Sequence, residues 1–482
     1  MTKFFKHILI FAGTITTFLQ AGAQTQMDLN KCREMALEHS REVKISDNKI
    51  EQAQLGKKIA RAGHLPSLNA TGTFFYKPNE LEYSIEGGNL PTYVPDEQGE
   101  LQPNFKRNPE TSRPVIGPDG NPVFEMYAMM PDMDLSVGLE GVTMGGFQLE
   151  QPVYMGGKIR AANEKAETGI EMAGLNKEMT TAEILAQADE AFYKYISVKA
   201  RKEAAQDYKI LLDSLVSSIE ASMKEGMATR NDLLKARVKR NEAKLMVQKA
   251  QSGQELARMN LCRITGLSLN TSLKIEGDTS VPEGMNPETN NNKKNDPTSR
   301  PEFKMLNKAI EMGQQQEKII RSEMLPQLGV SAGYSYFSGL KLNGQGAEDM
   351  AFSAMASLKI PIFNWSEKRN KLSRTKLKTE VTQMKMEDAE EKMQLEIAQA
   401  RFNLQDAFTR LKLTRQALEQ AEENLETSRD RYEEGMERLV NLLEAQAQWQ
   451  EAKSNHIEAQ TEVKIKHTQY LKTTGQLVAK SK

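Results

Sequence analysis

From about residue 155 to residue 225 the chain contains no proline, and apolar residues recur three or four apart. Ile159, Ala162, Ala166, Ile170 and Ala173 are followed by Leu185, Ala188, Phe192 and Tyr195. This spacing predicts one helix of about 70 residues, roughly 105 Å long at 1.5 Å per residue. Helices of globular domains run three or four turns, so one of this length belongs to a coiled coil or a tube. A stretch over about 366–434 has the same character. Helices of about 40 residues are predicted over 227–266 and 436–474, after the two long ones, and another helical segment opens the chain over about 28–62. The expected class is mainly α with a small β part, built on long coiled-coil hairpins.

The chain also repeats itself. KEGMATRNDLLKA at 224–236 aligns with EEGMERLVNLLEA at 433–445 at a shift of 209, and the same shift pairs Pro152 with Pro361. Upstream, HLPSLNATG at 64–72 matches MLPQLGVSAG at 324–333 at a shift of 260. The difference is an insertion in the first half. It covers about 77–131, holds nine of the 17 prolines, and therefore reads as loop. The expected organisation is a first repeat over 24–267, a linker over 268–297, a second repeat over 298–475 and a tail over 476–482.

Flanking the prolines are runs of period two. Leu328, Val330, Ala332, Tyr334 and Tyr336 alternate with small and polar residues, as do Phe352, Ala354, Ala356, Leu358 and Ile360. Four strands are predicted, over about 65–76, 134–151, 326–337 and 351–361. Such runs suit either a membrane barrel or a soluble hairpin on each repeat. Four strands cannot close a membrane barrel, which needs at least about eight; three chains would supply twelve and leave a lumen.

Composition narrows the function classes. Sixty-four Lys+Arg stand against 65 Asp+Glu, so the chain is no polycation, and nucleic acid is not an expected partner. Five histidines and two cysteines leave little for metal or acid–base chemistry, so neither an enzyme nor a cofactor is expected. Met126, Met129, Met130 and Met133 could offer thioethers to copper. Most other methionines fall on helical stripes and read as packing, and no metal site is assigned. Residues 1–23 read as a secretory signal: Lys3, Lys6 and His7 precede an apolar run, and Ala21-Gly22-Ala23 gives the cleavage pattern. Cys32 and Cys262 would then meet an oxidising compartment, either as a disulfide or as two buried thiols.

With Leu65-Pro66-Ser67-Leu68 and Leu325-Pro326-Gln327-Leu328 opening the hairpins, QPVYMGGK and IPIFNWSEK launching the long helices, and RYEEGMERLVNLLEAQ at 431–446, the sequence resembles the TolC family of outer-membrane efflux and secretion channels. The resemblance implies a homotrimer with an α/β barrel, its strands among outer-membrane lipid and its helical tunnel in the periplasm. It also implies a periplasmic adaptor (membrane fusion) protein and an inner-membrane RND or ABC transporter as partners. By the same resemblance Asp232, Asn441, Glu444 and Tyr432 belong to the entrance gate, where Asn441 departs from the family's acid. Gly226, Met227, Gly435 and Met436 form the hairpin tips that meet the adaptor. The bland alternative for the acids is a helix start that favours negative charge. For the whole chain, the alternative is a secreted coiled-coil structural or adhesin protein without a pore.

Overall fold

The computed structural model describes residues 25–78, 81–139, 141–282 and 296–480, so the predicted leader and part of the 268–297 linker lie outside the described residues. In chain order, β1 (Thr25–Met27) precedes α1 (Leu29–His39) and α2 (Arg41–Ala62). Then come β2 (Ser67–Phe75), β3 (Leu81–Ile85), β4 (Gly88–Pro91), β5 (Tyr93–Pro95), β6 (Leu101–Pro103) and β7 (Tyr127–Met130). β8 (Met133–Gly138) and β9 (Val142–Tyr154) lead into α3 (Lys158–Lys224) and α4 (Arg230–Thr265). After β10 (Leu273–Ile275) follow α5 (Pro301–Ser322), β11 (Gln327–Leu342), β12 (Gln345–Lys359), α6 (Glu367–Glu433), α7 (Leu439–Thr473) and α8 (Leu477–Lys480). The chain is mainly helical with a smaller sheet part, and it divides into two compact units.

Among the described residues the helical unit comprises 25–58, 161–282, 296–317 and 370–480. α3 and α6 are each 67 residues long, matching the proline-free runs. The opening helical segment is broken at Ser40, whose backbone is extended (ψ 121°). One core gathers Ile184, Ala188, Phe192 and Ile196 of α3 with Ala36 of α1 and Leu261 of α4, closed by Met27 and Ile275 of the parallel β1–β10 pair. Cys32 and Cys262 both lie fully buried in this core as free thiols, so the two-thiol alternative holds. Burial pushes the Cys32 thiol up to about 12 and raises Cys262 as well. Beside Cys32, the fully buried Asp189 carboxylate accepts both Arg33 Nε and Nη2 at 2.6 Å and Thr468 Oγ1 at 2.8 Å. Three helices, α1, α3 and α7, are tied through that one side chain. A fork-to-fork pair with a further hydrogen bond to the carboxylate is the arrangement in which a buried charge is tolerable.

In the strand unit, over 59–160 and 318–369, four long strands pair antiparallel in the order β2, β9, β11, β12. Residues directly opposite one another share a face, and successive rungs alternate. One rung reads Ala70, Phe147, Tyr334, Phe352, and the next on that face reads Leu68, Leu149, Ala332, Ala354. The rung between them, on the other face, reads Asn69, Gln148, Gly333, Ser353. The sheet is apolar on one side and polar or small on the other. Its apolar face is bare: Phe147 is 63% and Phe352 70% exposed.

Two features differ from the expected strands. The segment expected as one strand over 134–151 is interrupted at Gly141 (φ +76°) into β8 and β9, which both pair antiparallel with β11, Gly138 opposite Lys341 and Thr143 opposite Ser338. The 77–131 insertion, expected as loop, carries the short strands β3 to β7, paired as β3–β8, β4–β7 and β5–β6. Its prolines do not prevent this, since Pro91, Pro95 and Pro103 each end a strand, where a ladder N–H is dispensable. Met129 is 84% exposed and, being adjacent to Met130 in β7, faces the opposite side. Among the described residues no cluster of three His, Cys, Asp or Glu could hold a metal.

Asp189→Asn should leave the Arg33 guanidinium without its counter-charge. Because Arg33 keeps 19% of its side chain exposed, the cost belongs at the lower end of the range for breaking buried pairs, about 3 kcal/mol. Denaturant unfolding of the detergent-solubilised protein, followed by circular dichroism, checks this.

Candidate functional site

The tips of the two helical hairpins are built the same way. Gly226 (φ +79°) ends α3 and Gly435 (φ +74°) ends α6. Met227 N donates to Ser222 O at 2.9 Å and Gly226 N to Met223 O at 3.2 Å. Met436 N donates to Arg431 O at 2.8 Å and Gly435 N to Tyr432 O at 3.0 Å. These are paired six-to-one and five-to-two bonds, the Schellman closure, which needs a left-handed residue and so selects glycine. Met227 and Met436 are left exposed at 73% and 69%.

After the turns the two hairpins diverge. α4 starts in a capping box: Thr229 Oγ1 accepts from Asp232 N at 3.2 Å, and Asp232 Oδ2 accepts from Thr229 Oγ1 at 2.6 Å and Thr229 N at 3.4 Å. Asp232 thus satisfies the helix start and sits where the dipole favours negative charge. α7 starts at Arg438 with no side-chain cap. Nearby, one oxygen of Glu437 is buried without a hydrogen-bond partner.

A single core joins the tips. Leu212, Val216 and Ile219 of α3 meet Leu233 and Ala236 of α4 and Leu439, Leu442 and Leu443 of α7, with Tyr432 packed against them. Burial raises the Tyr432 hydroxyl pKa, and the Asp232 carboxylate adds to the shift. Asn441 and Glu444 are exposed, three residues apart on α7. Glu444 also lines a groove of about 560 Å³ between the starts of α4 and α7, walled by Leu234, Val238, Val440 and Leu443 and bordered by Lys235. Asp232 precedes the core residue Leu233, Tyr432 packs on that same core, and Asn441 and Glu444 flank its Leu442 and Leu443 on α7; no hydrogen bond links Asp232, Asn441 and Glu444 to one another among the described residues. The capping box was legible as Thr-x-x-Asp at 229–232. The Arg33–Asp189–Thr468 cluster carries no local signal, since its members lie 156 and 279 residues apart.

Added Cβ atoms at Gly226 and Gly435 would meet open space, so Gly→Ala there costs only the left-handed backbone, about 1 kcal/mol at each position. Thr229→Ala should cost about 1 kcal/mol through the lost cap. Equilibrium unfolding of the single variants and of the Gly226→Ala/Thr229→Ala pair checks both values.

Residues 298–476 match the family model described as outer membrane efflux protein. No curated protein sequence matches the chain. Three solved structures show the fold. CusC, described for its transmembrane channel formation, aligns with a TM-score of 0.69 at 12% identity, covering 93% of this chain and 92% of that one. The outer membrane protein VceC of Vibrio cholerae aligns at 0.67 and 16% identity, covering 93% and 96%. The MtrE outer membrane channel of Neisseria gonorrhoeae, in its open state, aligns at 0.67 and 15%, covering 93% and 89%. The matching family and the solved structures that share this fold are outer-membrane efflux and channel proteins. Residues 298–476 are thus similar to the outer membrane efflux protein family, and over nearly its whole length the chain has the fold of these solved outer-membrane proteins.

Proposed function

We propose that the chain is the passive export duct of a tripartite efflux or type I secretion system, acting as a homotrimer. A periplasmic adaptor would join it to an energised RND or ABC transporter in the inner membrane. The observation that carries this reading is the bare two-faced sheet. Its apolar rank runs from Met350 in β12 to Ile360 just past the strand's end; ten steps of about 3.4 Å, tilted about 40°, rise about 26 Å, close to the ~25 Å apolar band of outer-membrane barrels. β2 and β12 end the four-strand path, so each leaves one edge for a neighbouring copy. Three copies would close twelve strands around a polar lumen. A secreted filament or adhesin has no use for such a sheet.

The helices support a ring. On α6 the exposed Leu377, Val381, Met384, Leu395, Phe402 and Leu413 fall within about 60° of one face at 100° per residue. On α4 the exposed Leu234, Val238, Leu245 and Leu256 fall within about 40°. Two different uncovered stripes on one chain suit a heterologous, head-to-tail contact, which closes into a cyclic assembly. In that ring Asp232, Asn441 and Glu444 would gather at the tunnel's periplasmic end, six carboxylates from three chains concentrating cations. The exposed tips at Gly226, Met227, Gly435 and Met436 would meet the adaptor. Export substrate would be chosen by the pump, since a water-filled duct selects little.

The test is single-channel conductance in planar bilayers. Wild type should form small-conductance, cation-preferring channels blocked by multivalent cations. The Asp232→Asn/Glu444→Gln pair keeps trimer assembly and should weaken both the preference and the block. Unchanged selectivity and block would restrict these acids to helix-start roles; absence of any conductance would remove the duct.

A further inference from the structure

The chain makes one strand-to-helix turn twice, with different residues. Met155 O accepts from Lys158 N at 3.0 Å around Gly156 (φ +60°) and Gly157 (φ +84°). Asn364 O accepts from Glu367 N at 2.9 Å around Trp365 (φ +47°) and Ser366 (φ +62°). The turns stand 209 residues apart, the shift of the sequence repeat. Positive φ at both central positions is the type I′ pattern, filled by Gly, Asn or Asp because a Cβ is crowded there. Trp and Ser in that setting are sterically disfavoured, and strain of this kind persists where something makes use of it.

The two turns have different surroundings. A Cβ at Gly156 would stand 2.7 Å from Ser322 O and 2.9 Å from Leu325 Cβ, so the first turn is closed against the protein. The second is open. Trp365 is 87% exposed and rests edge-on against Phe363, ring centroids 5.0 Å apart, while Ile362 is 93% exposed. These residues follow directly on the apolar rank of Leu358 and Ile360, at the end of the strand that leads into α6. An aromatic pair at the edge of an apolar band is placed as interfacial residues are, with ring bodies among acyl chains and the indole N–H at the polar boundary.

Resting on the reading of this sheet face as lipid-facing, we propose that Phe363 and Trp365 are a membrane-interface anchor. They would sit in the headgroup region of the phospholipid leaflet nearest α6, with Trp365 Nε1–H donating to a lipid phosphate or ester oxygen. The strained turn holds the indole outward, where the first repeat uses two glycines and keeps only Tyr154, the exposed counterpart of Phe363. Three chains would then carry three tryptophan turns alternating with three glycine turns around the barrel rim.

The chain has two tryptophans, so Trp449→Phe leaves Trp365 as sole reporter. This variant is reconstituted in phosphatidylcholine vesicles brominated near the headgroup or near the bilayer centre. The expected result is blue-shifted emission, quenched at least about twofold more by shallow than by deep bromine. Trp365→Phe in the same background supplies the blank. Water-like emission without bromine quenching, in vesicles that still conduct, overturns the anchor and leaves the turn free for water or a protein partner. Stronger quenching by deep bromine overturns the interfacial placement. Loss of quenching together with loss of conductance and of vesicle association overturns the membrane reading beneath it.

Discussion

A β-sheet with one apolar face and no core against it has few stable homes. In water the rungs through Phe147, Tyr334 and Phe352 would leave large apolar surfaces wet, and the free edges of β2 and β12 would pair indiscriminately. In lipid the same apolar face is solvated, but every backbone N–H and C=O must then be satisfied, which only closure achieves. A single chain cannot close. In the proposed duct, neighbouring copies would thus be required by backbone hydrogen bonding, before any helix is considered.

The helices extend the same requirement. α3 buries many side chains within its own chain, whereas α6, of equal length, buries few and keeps an apolar stripe uncovered. Within the helical unit the chain invests its specificity in a few places. The Arg33–Asp189–Thr468 cluster fixes α1, α3 and α7 relative to one another, and the core under Tyr432 fixes the two tips. The tips combine a rigid inner side with exposed methionines outside. In the proposed duct such a surface would bind a partner while controlling an opening.

Much of this was legible from the residues, for identifiable reasons. A proline-free run with apolar spacing of three and four has one regular solution, so the bounds of α3 and α6 fall within three residues of the expected ones. Strict alternation in β11 and β12 likewise announced both strands. Legibility failed where conformation depends on single residues or on distant partners. Gly141 breaks an alternating run that otherwise reads as continuous. Prolines at strand ends look the same in sequence as prolines in loops. Asp232 reads as a gate acid by resemblance and as a capping residue by local chemistry, and its geometry satisfies the second directly. Nothing in Asn-Trp-Ser-Glu announces two consecutive left-handed residues; only alignment with Met-Gly-Gly-Lys in the other half hints at it.

The central claim is that β12 has one face in lipid and the other in water. Single cysteines at Ala351, Phe352, Ser353 and Ala354, in a background with Cys32 and Cys262 replaced by alanine, test it most directly. Each reconstituted variant is exposed to a membrane-impermeant maleimide. Labelling should alternate: positions 351 and 353 react from the aqueous lumen, and positions 352 and 354 stay protected by acyl chains. Equal labelling at all four positions would place both faces of the sheet in water and contradict the account.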